Sequence, residues 1–173
     1  NHMAELYNIN PKKKYVCMVV KLEGSDSEYE ENYFQKHEAF HLIKKQLIGI
    51  IDDILLKFNR KAVTIQRYNL VISFLALENE EVCHRMETVL SEEIQEIYQA
   101  IYNICKIYNP RIGVGMPCNQ FINMKQTYFQ AQEAIRISQI VDSNVTVSFF
   151  DRYSIYHLLS SVSDDLLENF CET

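Results

Sequence analysis

The sharpest chemical pattern in the sequence is His37-Glu38-Ala39-Phe40-His41, which fits HExxH within a stretch of helical periodicity. On a helix this spacing places two imidazoles on one side, where they could hold zinc beside a carboxylate that acts as general base. A zinc protease also needs a third ligand, but no Gly-x-x-His continuation follows His41 and the next glutamate, Glu78, lies beyond a predicted strand. We therefore interpret both histidines as boundary residues of a helix and expect no metal site.

Two further patterns would suit a nucleophile or a phosphate loop. Cys83 and Cys105 lie on the apolar side of a predicted helix, where a buried structural thiol is a better interpretation than a reactive one. Gly113-Val114-Gly115 begins like a glycine-rich phosphate loop, but neither a third glycine nor a Lys-Ser/Thr pair comes after it. We interpret this segment as a close-packed strand, and we expect no catalytic residue in the chain.

The polar triplet Arg67-Tyr68-Asn69 joins two predicted strands that together span Ala62 to Leu77. Val63 and Ile65 alternate with polar residues, and the run from Leu70 to Leu75 is almost wholly apolar, as in a strand covered on both faces. We therefore expect the hairpin to be central in its sheet. A turn in that position is a common place for a functional site, yet this one offers no carboxylate and no glycine.

The elements that would position these residues can be predicted from hydrophobic periodicity. Tyr15 to Leu22 is a short apolar run typical of a buried strand, and the acidic stretch Ser25 to Asn32 after it predicts a solvated loop. Apolar positions recur at helical spacing over about Tyr33 to Phe58, and again from Glu78 to Tyr108. Each of these two stretches predicts a long amphipathic helix.

With the hairpin between those helices and a further strand at Arg111 to Gly115, the element order is βαββαβ. This order predicts an α+β fold with a ferredoxin-like core, an antiparallel sheet of about five strands and two helices on one face. The remaining predicted elements are a third helix, a fifth strand and a C-terminal helical tail, over Asn123 to Ile140, Val145 to Phe150 and Ser154 to Cys171.

Composition limits the classes of function. With 173 residues, 47% of them apolar, the chain can bury one ordinary core, so we expect one domain. A net charge of -6 argues against nucleic-acid binding by this segment. Five scattered cysteines are typical of a reduced, cytoplasmic protein, and no apolar run is long enough to span a membrane. Asn1-His2-Met3 is interpreted as the remnant of a cleaved tag.

From Arg111 onward the order of residues resembles a known family. The matching segments are Gly113-Val114-Gly115, Thr127-Tyr128-Phe129-Gln130-Ala131-Gln132-Glu133-Ala134-Ile135, Phe149-Phe150-Asp151 and Tyr156-His157-Leu158-Leu159, followed by Leu166 and Phe170. Together they resemble the GGDEF-like central domain of bacterial sugar-diacid and purine-catabolism transcription regulators. The upstream βαββα order is similar to the same domain, so the likeness covers nearly the whole chain.

The resemblance implies a fold of the nucleotidyl-cyclase type. Diguanylate cyclases of this fold join two GTP molecules through metal-bound phosphates, with carboxylates at the end of the first strand and a Gly-Gly-Asp/Glu-Glu-Phe turn in the hairpin. Here Gln66-Arg67-Tyr68-Asn69-Leu70 aligns with that turn, and Glu23 is the one carboxylate near the end of the first strand. The resemblance therefore implies a degenerate cyclase fold without enzymatic activity, metal or cofactor.

The resemblance also implies a regulatory role. We expect residues 4–153 to form the degenerate GGDEF-like domain, and residues 154–173 to be a helical segment leading to a DNA-binding domain outside this chain. The module would transmit signals or self-associate as a homodimer, and DNA would be contacted through that other domain alone. The expected interface residues are Ile155, Leu158, Leu159, Leu166 and Phe170.

An alternative function is that of a sensor. In that case a nucleotide or small-molecule effector would bind in the former cyclase cleft, near Arg67, Tyr68 and Asn69, without turnover.

Overall fold

A computed structural model describes residues 10, 13–23, 33–78, 81, 84–105, 108–119 and 123–160, with the backbone alone described at 33–40 and 159–160. The described part of the chain contains five strands and four helices. In chain order they are β1 (Lys14–Lys21), α1 (Tyr33–Lys57), β2 (Ala62–Arg67), β3 (Leu70–Leu77), α2 (Met86–Cys105), β4 (Arg111–Val114), α3 (Met124–Val141), β5 (Val147–Phe149) and α4 (Phe150–Ser160). The tag remnant predicted at residues 1–3 and the loop predicted at 25–32 lie outside the described residues.

The strands form one sheet in the order β2-β3-β1-β4-β5. The first three pairings along this order are antiparallel, which confirms the α+β fold with the βαββαβ core. The fifth strand differs from the rest, since β5 pairs in parallel with β4. Helix α3 supplies the long crossover connection that two neighbouring parallel strands require.

The expected central position of the hairpin is wrong for its first strand. β3 lies between β2 and β1, whereas β2 is at the edge of the sheet. The burial of the two strands agrees with this, because β3 is almost completely buried and β2 is mostly half-buried or exposed. The continuous apolar run of β3 is that of a strand covered on both faces, whereas the alternating pattern of β2 fits an edge strand.

The two faces of the sheet bury different cores because β1 is apolar on both sides. One face, which includes Val16, Met18 and Val20, packs against α1 and α2. The opposite face, which includes Cys17 and Val19, packs against α3. The sheet is thus the middle layer between two helices on one side and one on the other.

Two glycines in and after β4 let α3 approach the sheet closely. A Cβ atom on Gly113 would lie 2.0 Å from the backbone oxygen of Ala131, and one on Gly115 would lie 2.2 Å from that of Thr127. The Thr127 hydroxyl accepts a hydrogen bond from the Cys17 backbone N–H at 2.9 Å, which fixes the helix over β1. The interpretation of Gly113-Val114-Gly115 as a close-packed strand is therefore confirmed.

A largely buried ion cluster joins the segment after α1 to α2 and to the segment before α2. The Arg60 side chain is 10% exposed, and its Nη1 donates to both carboxylate oxygens of Glu81 at 2.9 and 2.8 Å. Its Nη2 donates to Oε1 of the buried Glu93 at 2.7 Å. Burial alone would lower the pKa of Arg60, but the hydrogen bonds to Glu93 and Glu81 raise it above the usual value.

Two helices begin at residues other than the predicted ones. The helix expected from Glu78 begins at Met86, and Glu81 in the preceding segment instead binds Arg60. The C-terminal helix begins at Phe150 instead of Ser154, so the predicted strand over Val145 to Phe150 shortens to Val147–Phe149. The boundary expected between residues 153 and 154 thus falls within one helix, and the division of the chain at that point stays a prediction.

Candidate functional site

The tip of the β2–β3 hairpin lies beside the end of β1. Arg67 ends β2 and Leu70 begins β3, so Tyr68 and Asn69 form the turn between them. The backbone oxygen of Asn69 accepts a hydrogen bond from the Leu22 N–H at 3.4 Å. The structure therefore brings the three residues of the expected ligand site to the end of the first strand.

Tyr68 has the most unusual conformation at this tip. Its φ is 52°, in the left-handed region that a bulky residue rarely adopts, and its side chain is 80% exposed. The Lys44 ammonium donates to its backbone oxygen, and the Arg67 guanidinium lies 5.7 Å from the centre of its ring. A tight two-residue hairpin turn requires a positive φ at its first central residue, a position where glycine is usual.

The HExxH pattern is partly described. The His41 Nδ1 is 3.0 Å from Gln66 Nε2, so this imidazole hydrogen-bonds the hairpin from α1. The side chains of His37 and Glu38 lie outside the described part. Among the side chains that the structure does describe, no three His, Cys, Asp or Glu residues are grouped so that they could hold a metal ion.

The carboxylate at the end of β1 is bound to other side chains. Glu23 Oε2 lies 3.1 Å from Arg111 Nε in an ion pair, and Gln139 Nε2 donates to Glu23 Oε1. Arg111 is held in turn, because its Nη1 donates to the Val145 oxygen at 2.6 Å and its Nη2 to the Ser143 oxygen at 2.9 Å. The role of Glu23 is thus to join β1, β4 and α3, which the sequence alone did not indicate.

Three cations reach one face of the sheet at the hairpin end. Arg67 lies opposite Leu70, Leu70 opposite Lys21, and Lys21 opposite Arg111, in one row across four adjacent strands. Leu70 belongs to the core cluster under α3, so the row lies on that face. We call Arg67, Lys21 and Arg111 the cation row. No local pattern in the sequence indicates it, because the row depends on strand register.

The helix α4 carries the expected interface. Phe150 and Tyr153 are buried, and Arg152 forms an ion pair with Glu87 at the start of α2. Ile155 and Leu158 are 66% and 63% exposed, so the outward side of the helix carries two apolar side chains in addition to the exposed Arg152. The side chain of Leu159, together with Leu166 and Phe170, lies outside the described residues.

The described thiols are buried. Burial raises the pKa of Cys105 to about 11. Burial and the nearby Cys118 raise the pKa of Cys17 well above its usual value, and burial raises that of Cys118. The expected burial of Cys105 is confirmed, since this residue is fully buried, while Cys83 lies outside the described residues.

Within the ranges that the structure describes, we find no helix with the length and apolar character needed to cross a membrane.

Comparison with known proteins agrees with the observed fold. No curated protein matches the chain. A family model described as a GGDEF-like domain matches residues 1–137, which is well over half of the chain and extends from before β1 into α3. The segments Phe149-Phe150-Asp151 and Tyr156-His157-Leu158-Leu159, which carry part of the sequence resemblance, lie beyond that match. With the five-stranded α+β sheet and this match, the chain belongs to the family of GGDEF-like domains.

Proposed function

We propose that the chain is a non-catalytic regulatory and assembly module of a bacterial transcription regulator. The observation that carries the proposal is the chemistry at the hairpin tip. The tip, from Gln66 to Leu70, presents an amide, a guanidinium and a phenol, and the nearby Glu23 is bound to Arg111 and Gln139. The module would therefore serve regulation through binding and assembly.

Cyclase chemistry on this fold would need groups that the tip does not supply. Joining two GTP molecules requires divalent ions that neutralise the phosphates, and carboxylates hold such ions. Glu23 would have to leave its ion pair with Arg111 to become a ligand, and a single carboxylate would still hold two ions poorly. The turn residues Tyr68 and Asn69 also carry side chains where a close approach of phosphate requires glycine.

Self-association through α4 is the assembly role that we propose. Bacterial regulators commonly read two half-sites related by a two-fold axis, so one domain must hold two copies together. Ile155 and Leu158 form an apolar ridge on the helix, while Phe150 and Tyr153 already hold the helix on its own domain. The exposed pair is therefore accessible to a second copy of the chain.

The context of a transcription regulator is supported by the resemblance and by charge. The chain carries 17 basic and 23 acidic residues, which disfavours contact with phosphates over most of its surface. DNA would accordingly be bound by a separate domain, and the module would set the spacing of two such domains. A sensor function is the second candidate, and the cation row described above favours it.

The proposal predicts that the chain forms no cyclic dinucleotide. The purified chain would be incubated with GTP and either Mg²⁺ or Mn²⁺, and the products separated by chromatography beside an active diguanylate cyclase. We expect the yield to equal that of a reaction without protein, because no carboxylate pair is present at the described tip to hold the ions. A product that accumulates with the wild-type chain and disappears in Glu23→Gln would identify Glu23 as a metal ligand and refute the proposal.

A further inference from the structure

The outward side of α1 carries a stripe of residues that the domain leaves open to solvent. Leu42 and Leu56 are 63% and 74% exposed. Gly49 lies seven residues from each of them, which is close to two helical turns, so the three residues fall on one side of the helix. Lys45 and Asp53 lie four residues before and after Gly49 on the same side, and both are exposed. We call these five residues the α1 stripe.

The glycine at the centre of the α1 stripe has no packing role within its own chain. A Cβ atom on Gly49 would meet no atom within 4 Å apart from its neighbours in the same stretch of helix. Glycine inside a helix is less favourable than alanine, so the single domain loses stability through this residue. A glycine on an exposed helix does, however, allow another backbone to approach closely. The residue is therefore better explained by a contact with a second helix.

The α1 stripe is arranged symmetrically about Gly49. If two copies of α1 pair in antiparallel orientation about a two-fold axis at this glycine, residues equally far before and after it lie at the same height along the pair. Leu42 of one copy then faces Leu56 of the other, and the two glycines meet at the centre. The apolar contacts are thus repeated at both ends of the pair.

The charges of the stripe favour the antiparallel orientation. Lys45 of each copy would lie at the height of Asp53 of the other copy. Asp52, which accepts a hydrogen bond from Thr64 through one oxygen, adds negative charge beside it. Within the described ranges, neither Lys45 nor Asp53 forms a hydrogen bond or an ion pair. A parallel pairing would bring like charges together at both ends, which is unfavourable at an interface.

We propose that the α1 stripe binds a second copy of the chain, helix against helix, in antiparallel orientation about a two-fold axis at Gly49. The contact is smaller than the roughly 1,200 Å² of stable interfaces, so its dissociation constant lies above about 1 mM. It therefore adds little to assembly of the free chain at micromolar concentration, and it forms where other contacts already hold copies close together. It is a different surface from α4 and does not depend on the assembly role proposed for that helix.

The test is disulfide trapping of Gly49→Cys in a chain that also carries Leu158→Glu, which removes the proposed α4 contact. The pairing brings the two introduced thiols together at the two-fold axis, and oxidised glutathione converts them to a disulfide even when the contact is weak. The matched control is Gln99→Cys, at an exposed position of α2. We expect the covalent dimer to form about fivefold faster or more with Gly49→Cys than with this control.

Charge reversal separates the proposed pairing from random collision. Lys45→Asp and Asp53→Lys, each added to the Gly49→Cys chain, place like charges at both ends of the pair. Each should slow dimer formation about tenfold, the effect expected from two exposed ion pairs that become repulsive. A mixture of the two variants restores opposite charges at both ends. The mixed dimer, identified by its mass, should therefore form about as fast as that of Gly49→Cys alone.

Recovery in the mixture is the result that a defect within the single chain cannot produce. Equal rates for Gly49→Cys and Gln99→Cys would refute the proposal, and this is the result expected if a different protein or domain covers the stripe. Unchanged rates after charge reversal, or no recovery in the mixture, would also refute it. Because Leu158→Glu is present throughout, a failure of the α4 contact would leave these rates unchanged.

Discussion

Replacement of Arg60 by methionine is expected to destabilise the folded chain by about 3–5 kcal/mol. The Arg60 guanidinium neutralises Glu93, whose side chain is 7% exposed, and also holds Glu81 at 2.8 Å. Methionine fills a similar volume but leaves the Glu93 carboxylate buried without a cation. The free energy of unfolding would be measured by urea titration followed by circular dichroism.

The control for this prediction is Lys57→Met. Lys57 forms an ion pair with Glu96, but the two side chains are 64% and 38% exposed, so water screens the interaction. Its loss should cost less than about 1 kcal/mol. If Arg60→Met is unfolded while Lys57→Met is folded, the result also agrees with the prediction. If the two variants have similar free energies of unfolding, the cluster around Arg60 contributes little to stability.

The second large effect is expected from Gly113→Ala, which should destabilise the chain by about 3 kcal/mol or more. The added Cβ would lie 2.0 Å from the Ala131 backbone oxygen. Because this distance is too short for two atoms that are not bonded, either α3 or β4 would have to move. Neither can move easily, because β4 pairs with β1 through Val19 and with β5 through Ser148. The same urea titration measures the effect.

Gly49→Ala is the matched control and should have the opposite sign. Gly49 lies on the exposed side of α1, and a Cβ atom there would meet no atom within 4 Å apart from its neighbours in the same stretch of helix. Alanine within a helix is favoured over glycine by about 0.5–1 kcal/mol, so this variant should be more stable than the wild type. A stabilising or neutral Gly113→Ala would contradict the close packing of α3 on β4.

Hydrophobic patterns were sufficient to predict the elements of the fold. The apolar run of β1 and the alternating pattern of β2 each indicated a strand, and helical spacing of apolar residues indicated α1 and α2. The boundaries of the hairpin, at Ala62 and Leu77, agree with the structure. These predictions succeed because a buried face of a helix or strand carries apolar residues. The spacing of those residues can be seen within the sequence of the element itself.

The start of α2 was predicted less well for a physical reason. Glu78 and Glu81 suit the first turn of a helix electrostatically, and the sequence therefore favoured a helix from this point. In the structure Glu81 is bound by Arg60, which is distant from it in the chain, and the helix begins at Met86. A tertiary ion pair of this kind has no signature in a local pattern.

The cation row and the Glu23 ion pair could not be predicted from sequence. Lys21, Arg67 and Arg111 are distant from one another in the chain, and strand register alone places them in one row. A shift of register by one residue would move a side chain to the other face of the sheet. For the same reason, the sequence showed Glu23 only as a single carboxylate near the end of the first strand and could not show that it pairs with Arg111.

The proposed assembly role rests on the exposed side of α4. Ile155 and Leu158 are spaced as neighbours on one side of a helix, and both are more than half exposed. In a self-association about a two-fold axis, the same ridge would pack against its copy. Leu158 is the residue to change, because it is 63% exposed and a charged side chain there remains in contact with water.

Sedimentation equilibrium of the chain, of Leu158→Glu and of Leu56→Glu tests the proposed assembly most directly. Leu56 is the matched control, since it is 74% exposed on a different helix. The account predicts that the wild type and Leu56→Glu are dimers at high micromolar concentration. For Leu158→Glu, the dissociation constant of the dimer should be about thirtyfold or more higher than for the wild type. A wild-type chain that remains monomeric at that concentration would contradict the account.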